Sequence, residues 1–330
     1  MLKFTLFAGL AIVAGLAAFT LWQADRIAAA FPPTGKFVEI DGGRMHYTEL
    51  APERASRGTA LLIHGASGNQ ADMMVPLGEG LAAQGFRVLA FDRPGQGWSD
   101  RMGRGDASPA VQADRLRRAA GKLGVEKAIV VAHSLAGVAA TNLALDHKAF
   151  VAGLVLVAPV THPWPGGIAA YYTAASTPII EQIFTRLLVM PIGINALAPG
   201  LAGVFAPNPA PHDYLERTGV ALVLRPDAFM ANAQDVAALY DFVTAQSPRL
   251  PEITAPTAIV TGDADSIVLT HIHSYGSHKA IAGATLNVLP GVGHSPHWVN
   301  PQAVVDAVTE VAGRGSSISA PSPQARKPDR

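Results

Sequence analysis

The sequence contains no cysteine among its 330 residues. Disulfide bonds, thiolate metal sites and a cysteine nucleophile are therefore excluded, and the redox state of the protein's compartment stays open. Charged residues are also scarce: Asp, Glu, Lys and Arg make up 15% of the chain, in equal numbers of each sign, so the formal net charge is zero. No dense basic cluster is present, and this balance gives no indication of a nucleic-acid partner.

A large hydrophobic fraction accompanies this low charge. Hydrophobic residues make up 49% of the chain, which is enough for a sizeable core, and 330 residues correspond to one large domain or two small ones. Glycine and proline are frequent, with 32 and 25 residues, but they stand at turn-like positions without a collagen-like period. The composition therefore predicts a folded protein with a substantial core.

The first 30 residues differ from the rest of the chain. From Phe4 to Trp22 every residue is apolar apart from two threonines, and this stretch lies between Lys3 and the pair Asp25-Arg26. As a helix it would span roughly 28 Å at about 1.5 Å per residue, close to the thickness of a hydrocarbon core. We therefore predict an N-terminal transmembrane helix, with residues 1–30 as a membrane anchor.

Two alternatives to an uncleaved anchor stay open. A cleaved signal peptide usually has an apolar core of about 7–15 residues, which is shorter than this one. Ala28-Ala29-Ala30 could still serve as a cleavage site, and the protein would then be secreted. The segment could also be a buried helix of a soluble protein. Lys3 favours an N-terminus inside the cell, so we expect the main domain outside the cytoplasm.

Beyond a short proline-containing linker, strand-like and helix-like segments alternate. The sequence Asp41-Gly42-Gly43 between two alternating segments predicts a β-hairpin. Short apolar runs separated by helical patterns indicate an α/β fold, with a mostly parallel central sheet and helices on both faces. The predicted strands are Phe37–Ile40, Arg44–Leu50, Ala60–Ile63, Val88–Phe91, Ala128–Ala132, Val151–Val157, Thr257–Thr261 and Leu286–Leu289, and the predicted helices are Gln70–Ala83, Pro109–Leu123, Ala136–Asp146 and Pro301–Val311.

The alternation stops between about residues 161 and 250, where helix-like pieces such as Ala228–Thr244 occur without clear strands. We interpret this region as a helical cap inserted into the sheet domain; a mere extension of the scaffold is the alternative. The core domain then consists of residues 36–160 and 251–313. Residues 314–330 are rich in Gly, Ser, Pro and charge, which predicts a disordered tail.

Ser134 stands where a strand pattern runs into a helix pattern. Two residues away on each side it has a small neighbour, Ala132 and Ala136. A nucleophile on a sharp strand-to-helix turn needs small neighbours, because the turn brings backbones close together. The sequence departs from the usual G-x-S-x-G pattern at both glycine positions, although Gly137 follows directly. A serine that merely caps the helix is the alternative.

Five segments together resemble the α/β-hydrolase fold superfamily, in particular its capped serine esterases, haloperoxidase-like enzymes and C–C hydrolases. They occur in the order typical of that family and cover about residues 36–313, nearly everything except the anchor and the tail. The segments are Leu61-Leu62-Ile63-His64-Gly65-Ala66, Phe91-Asp92-Arg93-Pro94-Gly95-Gln96-Gly97-Trp98-Ser99-Asp100, Ala132-His133-Ser134-Leu135-Ala136-Gly137, Thr261-Gly262-Asp263-Ala264-Asp265 and Gly291-Val292-Gly293-His294.

The resemblance implies a catalytic triad in the order serine, acid, histidine. His294, in a Gly-x-Gly-His turn after a late strand, matches the base, while the nearby His297 falls outside that turn. Two aspartates follow the last strand but one. The family's Gly-x-x-Asp-x-x-Val pattern matches Gly262 to Val268 and so favours Asp265 as the acid, with Asp263 as a turn-forming alternative.

A developing oxyanion also needs hydrogen-bond donors. The resemblance implies the backbone N–H of Leu135, directly after the serine, and that of Ala66, at the end of an earlier strand. Asp92 and Gly95 lie in a tight loop that the family uses structurally, and we expect them to be scaffold. His133 is expected to line the turn at the serine.

Neither a cofactor nor a metal is implied. No G-x-G-x-x-G follows the first parallel strand and no P-loop is present, which argues against dinucleotide and nucleoside triphosphate binding. His271 and His278 share a helical face, but no carboxylate completes a ligand set with them or with His273. We therefore predict no cofactor and no metal site.

These residues predict a serine hydrolase that cleaves an ester-like bond of a small hydrophobic substrate through an acyl-enzyme on Ser134. A serine argues against haloalkane dehalogenases and epoxide hydrolases, whose nucleophile in this fold is an aspartate. A cofactor-free haloperoxidase or perhydrolase, or a C–C bond hydrolase, would use the same triad. C–C hydrolases usually have a glycine-rich oxyanion loop, where this chain has Ala66-Ser67-Gly68. A non-catalytic binding protein on this fold is a further alternative.

Large apolar side chains in the predicted cap indicate a hydrophobic acyl or alcohol site, although most of them fit the interior of the cap equally well. They are Trp164, Tyr171, Tyr172, Phe184, Phe205 and Phe229. We expect medium-sized apolar esters as substrates. The sequence predicts no particular oligomeric state.

Overall fold

Eight strands form one sheet in the computed structural model of the protein, which describes residues 2–318. The strands are β1 (Lys36–Ile40), β2 (Gly43–Leu50), β3 (Thr59–Ile63), β4 (Arg87–Phe91), β5 (Ala128–His133), β6 (Val151–Val157), β7 (Thr257–Gly262) and β8 (Thr285–Leu289). Their order across the sheet is β1-β2-β4-β3-β5-β6-β7-β8. β2 pairs antiparallel with both β1 and β4, and all other neighbours are parallel. The predicted mostly parallel sheet is confirmed.

Twelve α-helices lie within residues 2–318. They are α1 (Leu2–Ala30), α2 (Gln70–Ala83), α3 (Pro109–Lys122), α4 (Ala136–Asp146), α5 (Ala170–Ser176), α6 (Ile180–Phe184), α7 (Met190–Phe205), α8 (Tyr214–Thr218), α9 (Pro226–Gln246), α10 (His273–Ala280), α11 (Pro296–Val299) and α12 (Pro301–Ile318). Shorter 3₁₀ turns occur at Arg104–Ala107, Val220–Leu224 and Ser247–Glu252, and a π-helical turn at Thr185–Val189 joins α6 to α7.

The two faces of the sheet bury separate hydrophobic layers. Along β5, Val130 and Ala132 point into one layer together with residues of α3 and α4, whereas Ile129 and Val131 point into the other with residues of α2 and α12. Alternate residues of a strand face opposite sides, so a strand that is covered on both sides is apolar throughout. This explains why the central strands were recognisable as continuous apolar runs, and it confirms helices on both faces.

The sheet topology brings several loops to one edge. The chain passes from β3 to β4 on one side and then returns to β5 on the other, so the order of the strands reverses at β3. The loops that follow β3, β5, β7 and β8 all leave from the carboxyl ends of parallel strands. In open α/β sheets this edge, at the point of reversal, is where ligands bind.

Between β6 and β7 every regular element of the described chain is helical: this region contains α5 to α9. Helix α9, the longest of them, extends over Pro226–Gln246 and includes the predicted helical piece 228–244. Two segments of the described chain, Lys3–Ala30 and Ile180–Phe205, are long and apolar enough to cross a membrane by length and composition alone. The first is the predicted N-terminal helix, which makes it a candidate transmembrane span.

The C-terminal helix α12 is longer than predicted. It continues to Ile318, seven residues past the expected end at Val311, and so includes the first residues of the segment 314–330 that the sequence predicts to be disordered. The Arg314 guanidinium donates to the backbone carbonyls of Thr257 and Gly283, which attaches α12 to the sheet at this residue. Residues 319–330 lie outside the described residues.

Candidate active site

Ser134 occupies a strained turn between β5 and α4. Its φ is +55°, a left-handed conformation that a residue with a side chain seldom adopts. The turn is held by three backbone bonds: the Ser134 N–H donates to the Val157 carbonyl at 3.0 Å, and the Ser134 carbonyl accepts from the N–H groups of Gly137 and Val160. Strain of this kind persists only where the surroundings enforce it and is concentrated at functional sites.

Small residues around this turn are required by close contacts. A Cβ on Gly137 would lie 2.8 Å from the Cβ of Pro159, and a Cβ on Gly65 would lie 2.9 Å from that of Ser134. Both glycines therefore allow a neighbouring loop to approach the serine. The two alanines that replace the usual glycines of the motif, Ala132 and Ala136, are fully buried.

A continuous line of hydrogen bonds joins three of the predicted site residues. His294 Nε2 lies 2.9 Å from Ser134 Oγ, and His294 Nδ1 lies 2.8 Å from Asp265 Oδ2. The other carboxylate oxygen of Asp265 accepts the backbone N–H groups of Ile267 and Val268, each at 2.9 Å. A carboxylate acceptor at Nδ1 keeps the proton there, which leaves Nε2 free to accept from the serine hydroxyl.

The geometry separates the two candidate acids. Asp263 is exposed, and its Oδ1 accepts the Gly291 N–H at 2.7 Å, so it ties the loop after β7 to the loop after β8. Asp265 is buried and faces His294. The same two loops are in contact at Gly262, where a Cβ would lie 1.9 Å from the Val292 carbonyl oxygen. Asp263 thus fixes the position of the histidine loop without touching the histidine.

The backbone N–H groups of Leu135 and Ala66 are the predicted oxyanion donors; Leu135 directly follows the serine, and Ala66 packs against the apolar cluster that contains Leu135. Within residues 2–318 neither of them has a hydrogen-bond acceptor. The loop that carries Ala66 is held from the helical region: the Asn232 side chain on α9 accepts the Ser67 N–H at 2.7 Å and donates to Ser67 Oγ at 3.0 Å. Because Ser67 has a φ of +57°, these two hydrogen bonds support a second strained backbone position, in the loop that carries Ala66.

A fully buried arginine also holds the loop that carries Ala66. Arg93 donates to the carbonyls of His64 and Gly65, each at 3.1 Å, and its charge is paired with Asp235 of α9 at 2.6 Å. Asp235 also pairs with Arg101 at 2.8 Å. The cost of burying the guanidinium is offset by this carboxylate and these carbonyls, so removing one partner would leave an uncompensated charge.

His64 is part of this framework. Burial, together with the charge of Arg93, lowers the pKa of His64 to about 4, so it is neutral near pH 7. Its Nε2 accepts the Arg93 N–H at 3.0 Å, which places the proton on Nδ1, and Nδ1 then donates to the Gly65 carbonyl. The imidazole thus serves as a rigid spacer between two loops.

Asp92 has contacts that agree with the expectation of a scaffold residue. Its carboxylate accepts from Gln70 N–H, Trp98 N–H and His46 Nδ1, at 2.7, 2.8 and 2.7 Å. Gly95, with a φ of +80°, lies in the same loop, where a Cβ would meet that of Ala231 at 2.7 Å. Neither residue contacts Ser134 or His294 through any of these bonds.

Behind His294 lies a buried polar cluster that the sequence did not reveal. It consists of Asp72, His133 and His297, and it is the group of three in residues 2–318 whose nitrogen and oxygen atoms lie close enough, within 4.8 Å, to hold a metal ion. His133 Nε2 donates to the His294 carbonyl at 2.9 Å, so this cluster adjoins the site. Tyr214 Oη and Trp298 Nε1 both donate to Asp72 Oδ1.

The charges in this cluster are unequal. Burial alone would raise the pKa of Asp72, but His297 and His133 nearby, and the Tyr214 hydroxyl, hold it well below its usual range. Burial lowers the pKa of His133 well below its ordinary value, and the neighbouring imidazoles add to this effect. The Asp72 carboxylate is therefore ionised beside a neutral His133. The distance from His297 Nε2 to Asp72 Oδ2 is 3.4 Å.

The other histidines considered as metal ligands have structural contacts. His273 Nδ1 accepts the backbone N–H groups of Thr161 and His162 at 3.2 Å, and burial lowers its pKa to about 4. It therefore fixes the junction between β6 and the helical region. His271 and His278 belong to no group of three possible ligands in the described chain.

Of the aromatic residues predicted to form a hydrophobic substrate site, only some lie near the serine. Trp164 and Tyr172, like Ala66, pack against the apolar cluster that contains Leu135, the residue after the serine. Tyr171 stacks on Tyr172, with ring centroids 4.3 Å apart. The remaining three lie elsewhere: Phe184 and Phe229 pack with α1, and Phe205 packs against Tyr214 and Trp298.

Comparison with known proteins identifies the family to which this fold belongs. The family model for the alpha/beta hydrolase family matches residues 60–307. A 2-hydroxy-6-oxo-6-phenylhexa-2,4-dienoate hydrolase of Burkholderia cepacia is 26% identical over 282 residues, which cover 82% of this chain and 93% of that enzyme.

Two solved structures show the same fold at lower identity. A thermophilic esterase from Thermogutta terrifontis has a TM-score of 0.67 at 20% identity and covers 85% of this chain and 99% of its own. A membrane phospholipase A described as a bacterial virulence factor has a TM-score of 0.65 at 21% identity and covers 96% of this chain and 99% of its own. From the family match and the architecture, the chain belongs to the alpha/beta hydrolase family.

Proposed function

We propose that the protein is a serine hydrolase that cleaves an ester-like bond of a small hydrophobic substrate. The observation that carries this proposal is the line of hydrogen bonds from Asp265 Oδ2 through His294 to Ser134 Oγ, with the serine on a turn at φ +55°. A nucleophile within hydrogen-bond reach of a base, which is itself oriented by a third group, is the arrangement that activates a hydroxyl.

In the proposed reaction, His294 Nε2 takes the proton of Ser134 Oγ as the oxygen attacks the substrate carbonyl carbon. The negative charge that develops on the carbonyl oxygen is stabilised by the N–H groups of Leu135 and Ala66. The protonated histidine then gives its proton to the leaving alcohol, and an acyl-enzyme results. Water, deprotonated by His294, attacks the acyl group and restores the serine.

Asp265 acts through the histidine in this scheme. Its carboxylate is buried and is held by two backbone N–H groups, so it stays in place as the imidazolium forms. The negative charge stabilises the imidazolium and keeps the proton on Nδ1, without itself taking up a proton. The chemistry requires no cofactor or metal ion.

The surroundings of the serine favour an apolar substrate. Leu135, Val138 and Val160 from the core meet Val236 and Leu239 of α9 beside the site. Trp164 and Tyr172 adjoin this group. An acyl chain or an apolar alcohol of medium size would be desolvated against these side chains, which supports apolar esters as the substrate class.

A second candidate function is hydrolysis of a carbon–carbon bond. It is favoured by relatives named as 2-hydroxy-6-oxo-dienoate hydrolases, which align with at least 80% of this chain in the matches from Burkholderia cepacia and Klebsiella pneumoniae. The esterase from Thermogutta terrifontis supports the first candidate through its fold. We prefer the ester because the loop after β3 has Ala66-Ser67 where a C–C hydrolase would usually be glycine-rich.

We also propose that α1 anchors the protein in a membrane, with the hydrolase domain outside the cytoplasm. The helix is continuous from Leu2 to Ala30, and the likeness to a membrane phospholipase A extends over nearly the whole chain. A helix of 29 residues is about 43 Å long, more than the hydrocarbon core requires. Secretion after cleavage of this segment is the alternative.

The test uses purified full-length protein in detergent and p-nitrophenyl esters of graded chain length. We expect hydrolysis that is lost in Ser134→Ala and unchanged in Ser176→Ala, a serine on α5 whose hydroxyl bonds only to its own helix. The same proteins are assayed with a 2-hydroxy-6-oxo-dienoate. Activity with the dienoate alone would establish the C–C candidate, and no activity with either substrate from folded protein would contradict the proposal.

A further inference from the structure

The helical segment Ile180–Phe205 carries an exposed apolar stripe, which we call the cap face. It consists of Ile180, Ile183, Leu188 and Ile192, which are 40–59% exposed. The steps between them are three, five and four residues. Steps of three and four keep residues on one side of an α-helix, and the step of five falls in the π-helical turn Thr185–Val189, where one residue is added to the turn. The stripe is therefore continuous.

Charged residues are absent from most of this segment. No Asp, Glu, Lys or Arg occurs between Arg186 and Asp213. Along α7 only Met190 and Phe205 are buried, and Asn195 is the only polar residue on the exposed side. A surface helix in water normally has its polar residues on the outside, whereas a helix that is apolar all round belongs in a core or in lipid. A continuous exposed patch of this kind marks an interaction surface.

The cap face adjoins α1. Phe19, Ala24 and Ile27 of α1 pack in a cluster with Val189 and Met190, whose helical neighbours form the stripe. In contrast, residues 3–15 of α1 are all exposed and project away from the domain. The exposed surface of α1 and the cap face therefore meet in the C-terminal half of α1, near Phe19.

The length of α1 indicates how deep in the membrane the contact between α1 and the cap face lies. The projecting residues 3–15 account for only about 20 Å of helix at 1.5 Å per residue, whereas a hydrocarbon core is about 30 Å thick. The apolar run ends at Trp22, next to Arg26, whose guanidinium lies 4.9 Å from the Trp22 ring centroid. Trp and Arg at the end of a span are typical of the membrane–water boundary. Residues 16–22 must then also lie in hydrocarbon, about 10 Å of helix packed beside the cap.

We propose that the cap face is embedded in the outer layer of the bilayer beside α1, so that the partner of this surface is lipid. A depth of about 5–10 Å is usual for helices that lie in a membrane surface. This inference rests on the membrane attachment proposed above and adds a second contact, through the cap itself. It places the helical region whose α9 packs beside Leu135, next to Ser134, at the lipid boundary, where apolar esters are concentrated.

The absence of cysteine allows a direct test. Single cysteines replace Val13 on the projecting part of α1, Ile192 on the cap face, and Tyr275 on α10, which are 47%, 59% and 44% exposed. Each variant is labelled with an environment-sensitive NBD fluorophore. The full-length proteins are reconstituted into vesicles of phosphatidylethanolamine and phosphatidylglycerol, with and without a lipid that carries a nitroxide near its headgroup.

We expect a blue-shifted emission at position 192, quenching by the nitroxide lipid and protection from aqueous iodide. Position 275 should emit as in water and be quenched by iodide alone. A label at 192 that behaves like the label at 275, while the label at 13 is in lipid, would overturn the embedded cap and leave the anchor intact. If the label at 13 is also in water, the proposed membrane attachment through α1 is contradicted as well.

A second copy of this chain is the other possible occupant of the cap face. A label at 192 that is blue-shifted but insensitive to the nitroxide lipid, with a shift that grows as the protein-to-lipid ratio rises, would show self-association and would overturn the lipid contact. A shift that is independent of this ratio and accompanied by quenching supports the proposal.

Discussion

The turn at Ser134 and the helices of the cap face use apolar residues in opposite ways. Ser134, Asp265 and His294 are 5–7% exposed, and the layers of side chains beneath them exclude water from a line of hydrogen bonds. On the cap face the apolar side chains point outward, and Ile192 is 59% exposed. The first region is ordered by close backbone contacts within the chain. The apolar side chains of the second are removed from water only by a partner outside the folded chain.

Because of this difference, substitutions in the two regions should affect different properties: catalysis or folding in the first, and membrane contact in the second. Substitutions near the serine act on chemistry or on folding, because the side chains of Ser134, Asp265 and His294 are buried and joined by hydrogen bonds. Substitutions on the cap face leave the folded chain nearly unchanged, because these side chains have few partners to lose. The following predictions measure this contrast, from the largest expected effect to the smallest.

The largest effect is expected from Ser134→Ala. Removal of a triad member lowers kcat by on the order of 10⁴–10⁶ in enzymes with this arrangement. The free energy of unfolding should change little, since alanine occupies the same strained φ as serine. Steady-state kinetics with p-nitrophenyl esters and urea unfolding measure the two quantities, and retention of ester hydrolysis would contradict the assigned nucleophile.

Asp265→Asn and Asp263→Asn form a matched pair two residues apart in the sequence. The first should lower kcat by about 10⁴, because an amide favours the wrong tautomer of His294. The second should change kcat little, since Asp263 bonds to the Gly291 N–H and not to the histidine. Equal losses in the two variants would show that loop position, and not the charge at Asp265, controls the reaction.

Asp235→Ala should have the largest effect on folding. It leaves Arg93 buried without a carboxylate, which typically costs about 3–5 kcal/mol. Asp241→Ala on the same helix removes an exposed carboxylate and should change the free energy of unfolding by less than about 0.5 kcal/mol. Urea unfolding measures the free energy of unfolding of both variants. An Asp235→Ala variant as stable as the unsubstituted protein would mean that Arg93 is solvated.

Acid should destabilise the fold through buried neutral histidines. The pKa values of His64 and His273 are about 4 in the folded protein, below the ordinary 6.5, so the unfolded chain binds more protons between these values. Stability is therefore complete above pH 6.5 and is lost as the pH falls towards 4, by up to about 1.4 kcal/mol per pH unit for each histidine. Unfolding midpoints that are equal at pH 7 and pH 5 would contradict this.

The smallest effect on folding is expected on the cap face. Ile183→Gln/Ile192→Gln should change the free energy of unfolding in detergent by less than about 1 kcal/mol, since each exposed substitution contributes within about 0.5 kcal/mol. Phe37→Gln/Tyr275→Gln, two exposed aromatic positions outside the cap, is the control. A large loss in the cap variant alone would show that these isoleucines are buried in the protein itself.

Local patterns made the carboxyl edge of the sheet predictable. The strand Ala128–Ala132 and the helix Ala136–Asp146 correspond to β5 and α4 within one residue, because both elements are buried and apolar throughout. The hairpin of β1 and β2 followed from its turn residues. Ser134, His294 and Asp265 were predicted from short motifs, and the structure brings them together.

Contacts between distant segments could not be predicted in this way. Asn232 and Asp235 on α9 hold the loop at Ala66 and the buried Arg93, but each lies more than a hundred residues from its partner and belongs to no motif. The cluster of Asp72, His133 and His297 was missed for the same reason. The outward isoleucines of the cap face looked like ordinary apolar residues, because hydropathy alone does not tell a core from a lipid contact.

The central claim, that Ser134 is an activated nucleophile, is tested most directly by a fluorophosphonate that labels the full-length protein, followed by mass spectrometry of its peptides. The account predicts one adduct, on Ser134, which is absent from Ser134→Ala and strongly reduced in His294→Ala. Folded protein that carries no adduct, or carries it on another serine, would contradict the account.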